Sequence, residues 1–300
     1  MFTMKIGIFV AGFKGLNFLE TLSLRIQTNL IEFVCSYQNQ GNASCTFTEI
    51  QTLCSIKNYN LYSRKVLDRQ KLDAVEIIFV VGWQFIIDNT DDRYIIFHDS
   101  ILPKYRGFAP TVTALINGDR QIGVTALKAS NLADRGDIYD QKVIEIDYPI
   151  KIHDAYLLLG KAYIEIAISI IDKASQDKLV ATPQSDSSAT YSLWRDEDDY
   201  YINWEWSANK ILRFINAVGY PYGGARTNYQ SQIIYIDEAV VAEDVFFEDR
   251  HLGKIWNIKN GHPEVVCGQG MIQILIARFE DGTPVRFNKL RTRLGINFNH

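Results

Sequence analysis

Short apolar runs separated by polar stretches of helical spacing fill the first half of the chain. Residues 5–10 (KIGIFV), followed by Gly12 and Gly15, predict a buried strand entering a helix over about 16–24 through a glycine turn. Further apolar runs at 31–34, 75–81 and 94–97 predict three more strands. Strands alternating with helices imply β-α-β units and an α/β domain with a Rossmann-like, mostly parallel sheet. In such a sheet the functional site lies beyond the carboxyl ends of the strands. Those ends are Gly12, Gly82-Trp83-Gln84 and His98-Asp99-Ser100.

A short helix opening on Pro110, strands over 123–127 and 138–146 and a long helix over 153–174 complete the first domain, expected over residues 1–190. The polar run Gln184-Ser185-Asp186-Ser187-Ser188 reads as a loop leading to a second domain over 200–300. There, a helix over 208–217 precedes closely spaced strand candidates at 233–236, 240–245, 254–258, 265–266 and 272–277. That spacing predicts a small, β-rich, barrel-like domain.

Composition narrows the picture. With 47% apolar and 22% charged residues the chain is globular, not disordered. A net charge of −4 excludes a wholly basic surface for nucleic acid. No apolar run reaches the roughly 18 to 20 residues of a membrane helix, so no membrane insertion is expected. Cys35, Cys45, Cys54 and Cys267 include no C-x-x-C pair, and free thiols in a cytoplasmic protein are expected. The histidines at 98, 153, 251, 262 and 300 form no i, i+4 pair and no Cys/His cluster, so no metal is expected.

Candidate chemistry concentrates in two segments. In residues 98–110 (HDSILPKYRGFAP) a polar triplet follows an apolar strand, which presents His98 at a strand end with Lys104 and Arg106 close by. In residues 133–138 (ADRGDI) Asp134 precedes a glycine turn, where a carboxylate either orients an imidazole or satisfies turn backbone.

These segments resemble the folate-dependent formyltransferases. Members carry an Asn-x-His-x-Ser-Leu-Leu-Pro-type segment, an Arg-Gly-x-x-Pro step, a Gly-Val-Thr strand and an Asp-x-Gly-Asp-type turn; residues 98–127, 133–138 and 82–87 match that pattern. Residues 216–225 (NAVGYPYGGA) resemble the Pro-Tyr-x-Gly-Ala step that opens the family's C-terminal domain. The resemblance implies transfer of a formyl group from N10-formyltetrahydrofolate to a primary amine, in a homodimer. His98 and Asp134 match the catalytic pair. The folate is expected against Val81, Gly82, Trp83, Gln84, Ile87, Ser100, Leu102 and Asp134, with its pterin along the backbone of residues 81–87. Lys14, Lys104, Tyr105, Arg106 and Tyr222 are candidates for holding the acceptor.

One departure stands out. The family's Asn two residues before the His is Ile96 here. Loss of one oxyanion donor costs about 3 to 4 kcal/mol, so either another donor, such as protonated His98 or Gln84, takes over, or the chain is a catalytically weakened folate- or sugar-binding homologue.

Three acceptors compete: water, used by a hydrolase branch that usually carries an N-terminal regulatory domain, methionyl-tRNA, and a nucleotide-linked amino sugar. Methionyl-tRNA needs cationic surface, but residues 201–300 hold 11 Lys+Arg against 10 Asp+Glu, and residues 1–200 hold 20 against 25. The segment 36–50, where a tRNA enzyme of this family is expected to be basic, has no Lys or Arg. Residues 82–87 and 192–195 resemble the branch that formylates nucleotide-linked amino sugars for surface polysaccharides such as lipopolysaccharide O-antigen. A nucleotide-linked amino sugar is therefore the expected acceptor, with methionyl-tRNA formyltransferase as the alternative.

Overall fold

The computed structural model describes residues 4–38, 46–85, 87 and 92–295. Cys45 and His300 lie outside the described residues, as do residue 86 of the 82–87 segment and residues 39–45 of the 36–50 segment. Two compact units divide the chain. The first comprises Met1–Pro110, Gln121–Glu145 and Tyr156–Leu193; the second comprises Thr111–Arg120, Ile146–Ala155 and Trp194–His300. Two segments within the expected first domain thus group with the second unit.

The first unit is built on β1 (Ile6–Val10), α1 (Gly12–Leu22), β2 (Ile31–Ser36), α2 (Phe47–Lys57), β3 (Asn60–Ser63), α3 (Arg69–Leu72), β4 (Ile77–Val81) and β5 (Tyr94–His98). It continues with the two-residue β6 (Arg106–Gly107) and, after α4 (Pro110–Asn117), with β7 (Gln121–Lys128) and β8 (Ile138–Glu145). Next come α5 (Ile152–Ser175) and β9 (Tyr191–Ser192). Seven strands form one sheet in the order β3-β2-β1-β4-β5-β7-β8. Its first five strands run parallel, while β7 and β8 pair antiparallel at one side. A separate short parallel pair joins β6 to β9.

Both faces of the sheet are apolar, as parallel strands require. On one face Phe18 of α1 meets Phe79 and Phe97, and Tyr163 of α5 meets Phe97. On the other, Phe9, Phe33, Ile78, Val80 and Tyr94 form a buried cluster against which Trp83, Ile87 and Ile96 pack. The chain turns away from β4 at Gly82 (φ +66), where an added Cβ would lie 2.2 Å from the Ala11 carbonyl oxygen. Only glycine suits that junction of β1 and β4.

The second unit holds α6 (Ala208–Ala217), β10 (Ala225–Tyr229), β11 (Gln232–Ala242), β12 (Ile255–Lys259), β13 (His262–Val266) and β14 (Met271–Phe279). Its strands make one antiparallel sheet in the order β10-β11-β14-β13-β12. Ser207 caps α6 by accepting from Lys210 N–H, and Ile211, Phe214 and Ile215 are buried on one stripe. The two runs predicted at 233–236 and 240–245 differ from the single strand β11, whose pairing with β14 shifts register near Glu238. That irregularity breaks the alternation a continuous strand would show. Among the described residues no helix is long and apolar enough to cross a membrane.

Candidate functional site

His98 ends β5 and is 8% exposed. Its Nε2 lies 2.8 Å from the Tyr105 carbonyl oxygen. A carbonyl only accepts, so Nε2 carries the proton. Nδ1 faces Asp134, 3.4 Å from Oδ1. A neutral ring therefore turns the lone pair of Nδ1 toward the carboxylate. The structure brings together the two residues predicted to carry the chemistry, 36 positions apart in the chain.

The surroundings fix both groups. Tyr105 takes a left-handed backbone (φ 60), and its N–H donates to Thr190 Oγ1 at 2.9 Å. Asp134 is also left-handed (φ 56), and its Oδ2 accepts the Gly107 N–H at 2.8 Å. Gln184 Nε2 donates to the carbonyls of Asp134 and Gly136, at 2.9 and 2.7 Å. Gly136 is required for close approach: a Cβ there would lie 1.9 Å from the Lys128 carbonyl oxygen.

Gln184 and its neighbours were expected to be a loop, and the structure shows one. Residues 184–192 also belong to the site's scaffold, because β9 pairs with β6 between Tyr105 and the helix α4. Gln184 also accepts from Arg106 Nε and Nη2, at 3.2 and 3.0 Å, and Asp186 Oδ1 accepts from Nη1 at 2.6 Å. Arg106 is 1% exposed. It does not fit the expected role of an acceptor-binding cation; its guanidinium is spent on this loop.

Lys14 also has a partner inside the protein. It pairs with the buried Asp99, which accepts from Tyr163 O–H as well, and its ammonium sits 5.2 Å from the Tyr156 ring centroid. Lys14, expected from sequence to hold the acceptor, is thus in an ion pair beside His98. Lys104 is exposed and lies over the Tyr105 ring at 4.7 Å. Tyr222 belongs to the second unit, where its N–H donates to the Gly219 carbonyl.

Residues expected to meet folate are placed as follows. Val81 is buried and its carbonyl accepts from Ala11 N–H at 3.2 Å. Gln84 is exposed, whereas Leu102 is buried. Thr125 Oγ1 donates to the Ser100 carbonyl and accepts from Leu102 N–H and from Gln141 Nε2, which knits the 100–102 turn to β7 and β8. Ser100 Oγ and Trp83 Nε1 are buried and bond to no protein group. Two orphaned polar atoms at the ends of β4 and β5 suit a ligand rich in oxygen and nitrogen, because a buried polar group without a partner is costly. Ile96 packs against the apolar cluster with Val80 and Tyr94, on the same side of β5 as His98. It offers no donor.

Gln184, the Tyr105 carbonyl and the Gly107 N–H were missed from sequence. The two backbone groups carry no sequence signal, and Gln184 was hidden in a polar run. Among the described residues no three His, Cys, Asp or Glu side chains gather to hold a metal ion.

Comparison with known proteins gives the family and the fold. The formyl transferase family model matches residues 22–156, and the model of the formyl transferase C-terminal domain matches residues 195–293. A methionyl-tRNA formyltransferase of Clostridium novyi (strain NT) is 27% identical over 192 residues, covering 63% of this chain and 60% of that protein. The match thus spans less than two thirds of that relative. The fold is similar to that of WlaRD, a sugar 3N-formyl transferase solved with dTDP and 5-N-formyl-THF: TM-score 0.66, 19% identity, 97% of this chain and 100% of that one. It is also similar to an N-formyltransferase from Helicobacter canadensis in complex with folinic acid and dTDP-3-aminofucose: TM-score 0.66, 16% identity, 90% and 98%. With both family domains present in order and the His–Asp pair assembled at the end of β5, the chain belongs to the formyl transferase family.

Proposed function

We propose that this protein moves a formyl group from N10-formyltetrahydrofolate to the primary amine of a nucleotide-linked amino sugar. The observation that carries the reaction is the His98 ring, held by the Tyr105 carbonyl with Nδ1 turned toward Asp134. As the amine nitrogen bonds to the formyl carbon, its proton passes to Nδ1. The resulting imidazolium is stabilised by Asp134. The bond from the formyl carbon to N10 then breaks, and the proton returns to N10 of the tetrahydrofolate leaving group. Donor, amine and proton all balance, and no metal takes part in the scheme.

The choice of acceptor is supported by charge and by the relatives. Segment 36–50 has no cation, and residues 201–300 are nearly neutral. Phosphate contacts dominate nucleic-acid affinity, so such a surface favours a small acceptor over tRNA. Two similar structures are described with dTDP or a dTDP-linked amino sugar. The methionyl-tRNA relative favours the second reading. Incubating the protein with formyl donor and either a panel of nucleotide-linked amino sugars or methionyl-tRNA decides between them. A formylated sugar is expected; product from methionyl-tRNA alone would reject this acceptor. Assembly as a homodimer and a place in surface-polysaccharide synthesis belong to the same proposal.

A further inference from the structure

We infer that Asp99, clamped by Lys14 and Tyr163, is a positioning residue that holds the His98 ring in place. The inference rests on the formyl transfer proposed above and adds what keeps its proton acceptor fixed. Pairing of β5 with β7 ends at His98 and Thr125, so Asp99 is the first residue past that ladder. A reacting side chain must stay within about 0.5 Å of its productive place, which requires supporting contacts around it. At a strand end those contacts have to come from beyond the ladder.

Neighbours along an extended chain point to opposite faces. His98 meets Tyr105 and Asp134 on one face, whereas Phe97 and Asp99 meet α1 and α5 on the other. The Asp99 side chain is 2% exposed there, and each of its oxygens has a donor on a different helix. Oδ2 pairs with the Lys14 ammonium of α1, and Oδ1 accepts from the Tyr163 O–H of α5. Both helices are already packed on β5: Phe18 of α1 lies 5.6 Å from Phe97 and Tyr163 lies 5.2 Å from it, between ring centroids. The Lys14 ammonium also sits over the Tyr156 ring, seven positions before Tyr163 and on the same side of α5.

Charge makes this clamp a matter of placement more than of stability. Desolvating a carboxylate offsets most of what its pairing returns, so a buried pair adds little net stability. Losing one partner is far worse, because a buried charge is then left uncompensated. Asp99 is therefore held where both donors reach it, and the peptide that joins it to His98 is held with it. On the next residue, the Ser100 carbonyl accepts from Thr125 Oγ1, and Thr125 is the residue paired with His98 across the ladder. The backbone under the ring is thus tied to β7, α1 and α5, while the ring itself meets the Tyr105 carbonyl and Asp134.

Two measurements on the full chain test this, and the first needs no acceptor. Proton–nitrogen correlation spectra of the ligand-free protein report the His98 ring, whose signals are identified by their loss in His98→Asn. The neutral wild-type ring is expected in one tautomer, with the proton on Nε2. Tyr163→Phe keeps the ring packing and removes only the O–H, and Lys14→Met removes the cation. Each is expected to broaden or split the His98 signals, whereas Lys14→Arg keeps a cation and is expected to leave them single. Unchanged signals in Tyr163→Phe and Lys14→Met overturn the inference, even where the melting temperature falls.

The second measurement is steady-state kinetics with N10-formyltetrahydrofolate and the amino sugar that the panel identifies. Tyr163→Phe and Lys14→Met are expected to lower kcat about tenfold through a displaced ring, with KM for both substrates unchanged. Added to His98→Asn, Tyr163→Phe is expected to cost no further rate, because the clamp acts through that ring. A multiplicative loss in the double variant overturns the inference. So does a raised acceptor KM at unchanged kcat, which would make Lys14 a direct contact of the acceptor. Should Lys14→Met fail to fold, Tyr163→Phe decides by the same readings. If no amine in the panel is formylated, the proposed function fails, and the spectra still decide whether Asp99 holds the ring.

Discussion

The Gln184 side-chain amide donates to the backbone carbonyl of Asp134 at 2.9 Å, across 50 positions of sequence. Its second donor bond, to Gly136, and its oxygen's bonds from Arg106 make Gln184 the tie between the aspartate turn and the strand that follows Tyr105. Substitution by Ala leaves two turn carbonyls without donors, at a cost of about 1 to 3 kcal/mol. We expect Gln184→Ala to lower kcat by roughly tenfold through a looser Asp134, with donor KM little changed. Steady-state kinetics with thermal melting check this; a lower melting temperature at unchanged kcat would restrict Gln184 to stability.

His98 and Asp134 should act as one unit. His98→Asn removes the proton acceptor and should cost about 10² to 10⁴ in kcat, the usual worth of positioned acid–base catalysis. Asp134→Asn should cost a similar factor. The double variant should be little worse than either single one, because groups that share one proton path are not additive. Multiplicative losses in single-turnover rates would separate their roles.

Arg106 makes a different kind of prediction. Its partner Asp186 is 70% exposed, so the pair is buried at one end only. Arg106→Met removes a buried charge with its hydrogen bonds and should destabilise by about 1 to 3 kcal/mol. Arg106→Lys cannot reproduce the fork to Gln184 and Asp186 and should also destabilise. Urea melts measure both, and a loss of nucleotide affinity at full stability would restore Arg106 to the acceptor site.

Much of this architecture was legible in sequence, and its failures have physical causes. The apolar runs of β1, β2, β4 and β5 announced the parallel sheet because those strands are covered on both faces. His98 was legible as the polar residue ending such a run. The strand β3 was not, since it is an edge strand whose sequence NLYS is only half buried. β10 was hidden by its buried Thr227, which is tolerated there because Trp204 Nε1 donates to its Oγ1 at 3.0 Å. Residues 184–188 form the loop expected from sequence, since Ser185, Asp186, Ser187 and Ser188 are exposed and the segment is irregular apart from one short 3-10 turn, but what anchors that loop was not legible. Here Arg106, roughly 80 positions away, is the partner, and a contact at that separation leaves no local trace.

The thiols give a prediction at high pH. Burial pushes Cys35 up to about 12 despite the opposing effect of Arg64, and burial likewise raises Cys54 to about 11 and Cys267 to about 12. In the unfolded chain these groups ionise near pH 8.5. The stability they lend is complete below that value and is lost as pH rises from there through the folded values. Stability should therefore fall progressively above about pH 8.5, and thiol reagents should react slowly with Cys35, Cys54 and Cys267 of the native protein at neutral pH. Cys35→Ser should flatten the alkaline limb of the urea-midpoint profile. An unchanged limb would show that another group causes it.

Asp140 sets the opposite limb. Burial raises its pKa, but hydrogen bonds from Lys173 and Ser169 outweigh burial and hold the carboxyl below its usual range. A depressed folded pKa means that the stabilisation is present above the unfolded value of about 3.9 and is lost as pH falls through the folded one. The carboxylate is 28% exposed and Lys173 is 44% exposed, so solvent screening limits the contribution to about 1 kcal/mol. Asp140 lies on β8 and Lys173 on α5, so the pair ties the long helix to the sheet's antiparallel side. Asp140→Asn should lower the urea midpoint at pH 7 and converge with wild type below about pH 3, where both side chains are neutral. A gap that persists at pH 2 would assign the loss to packing of Asp140 and not to its charge.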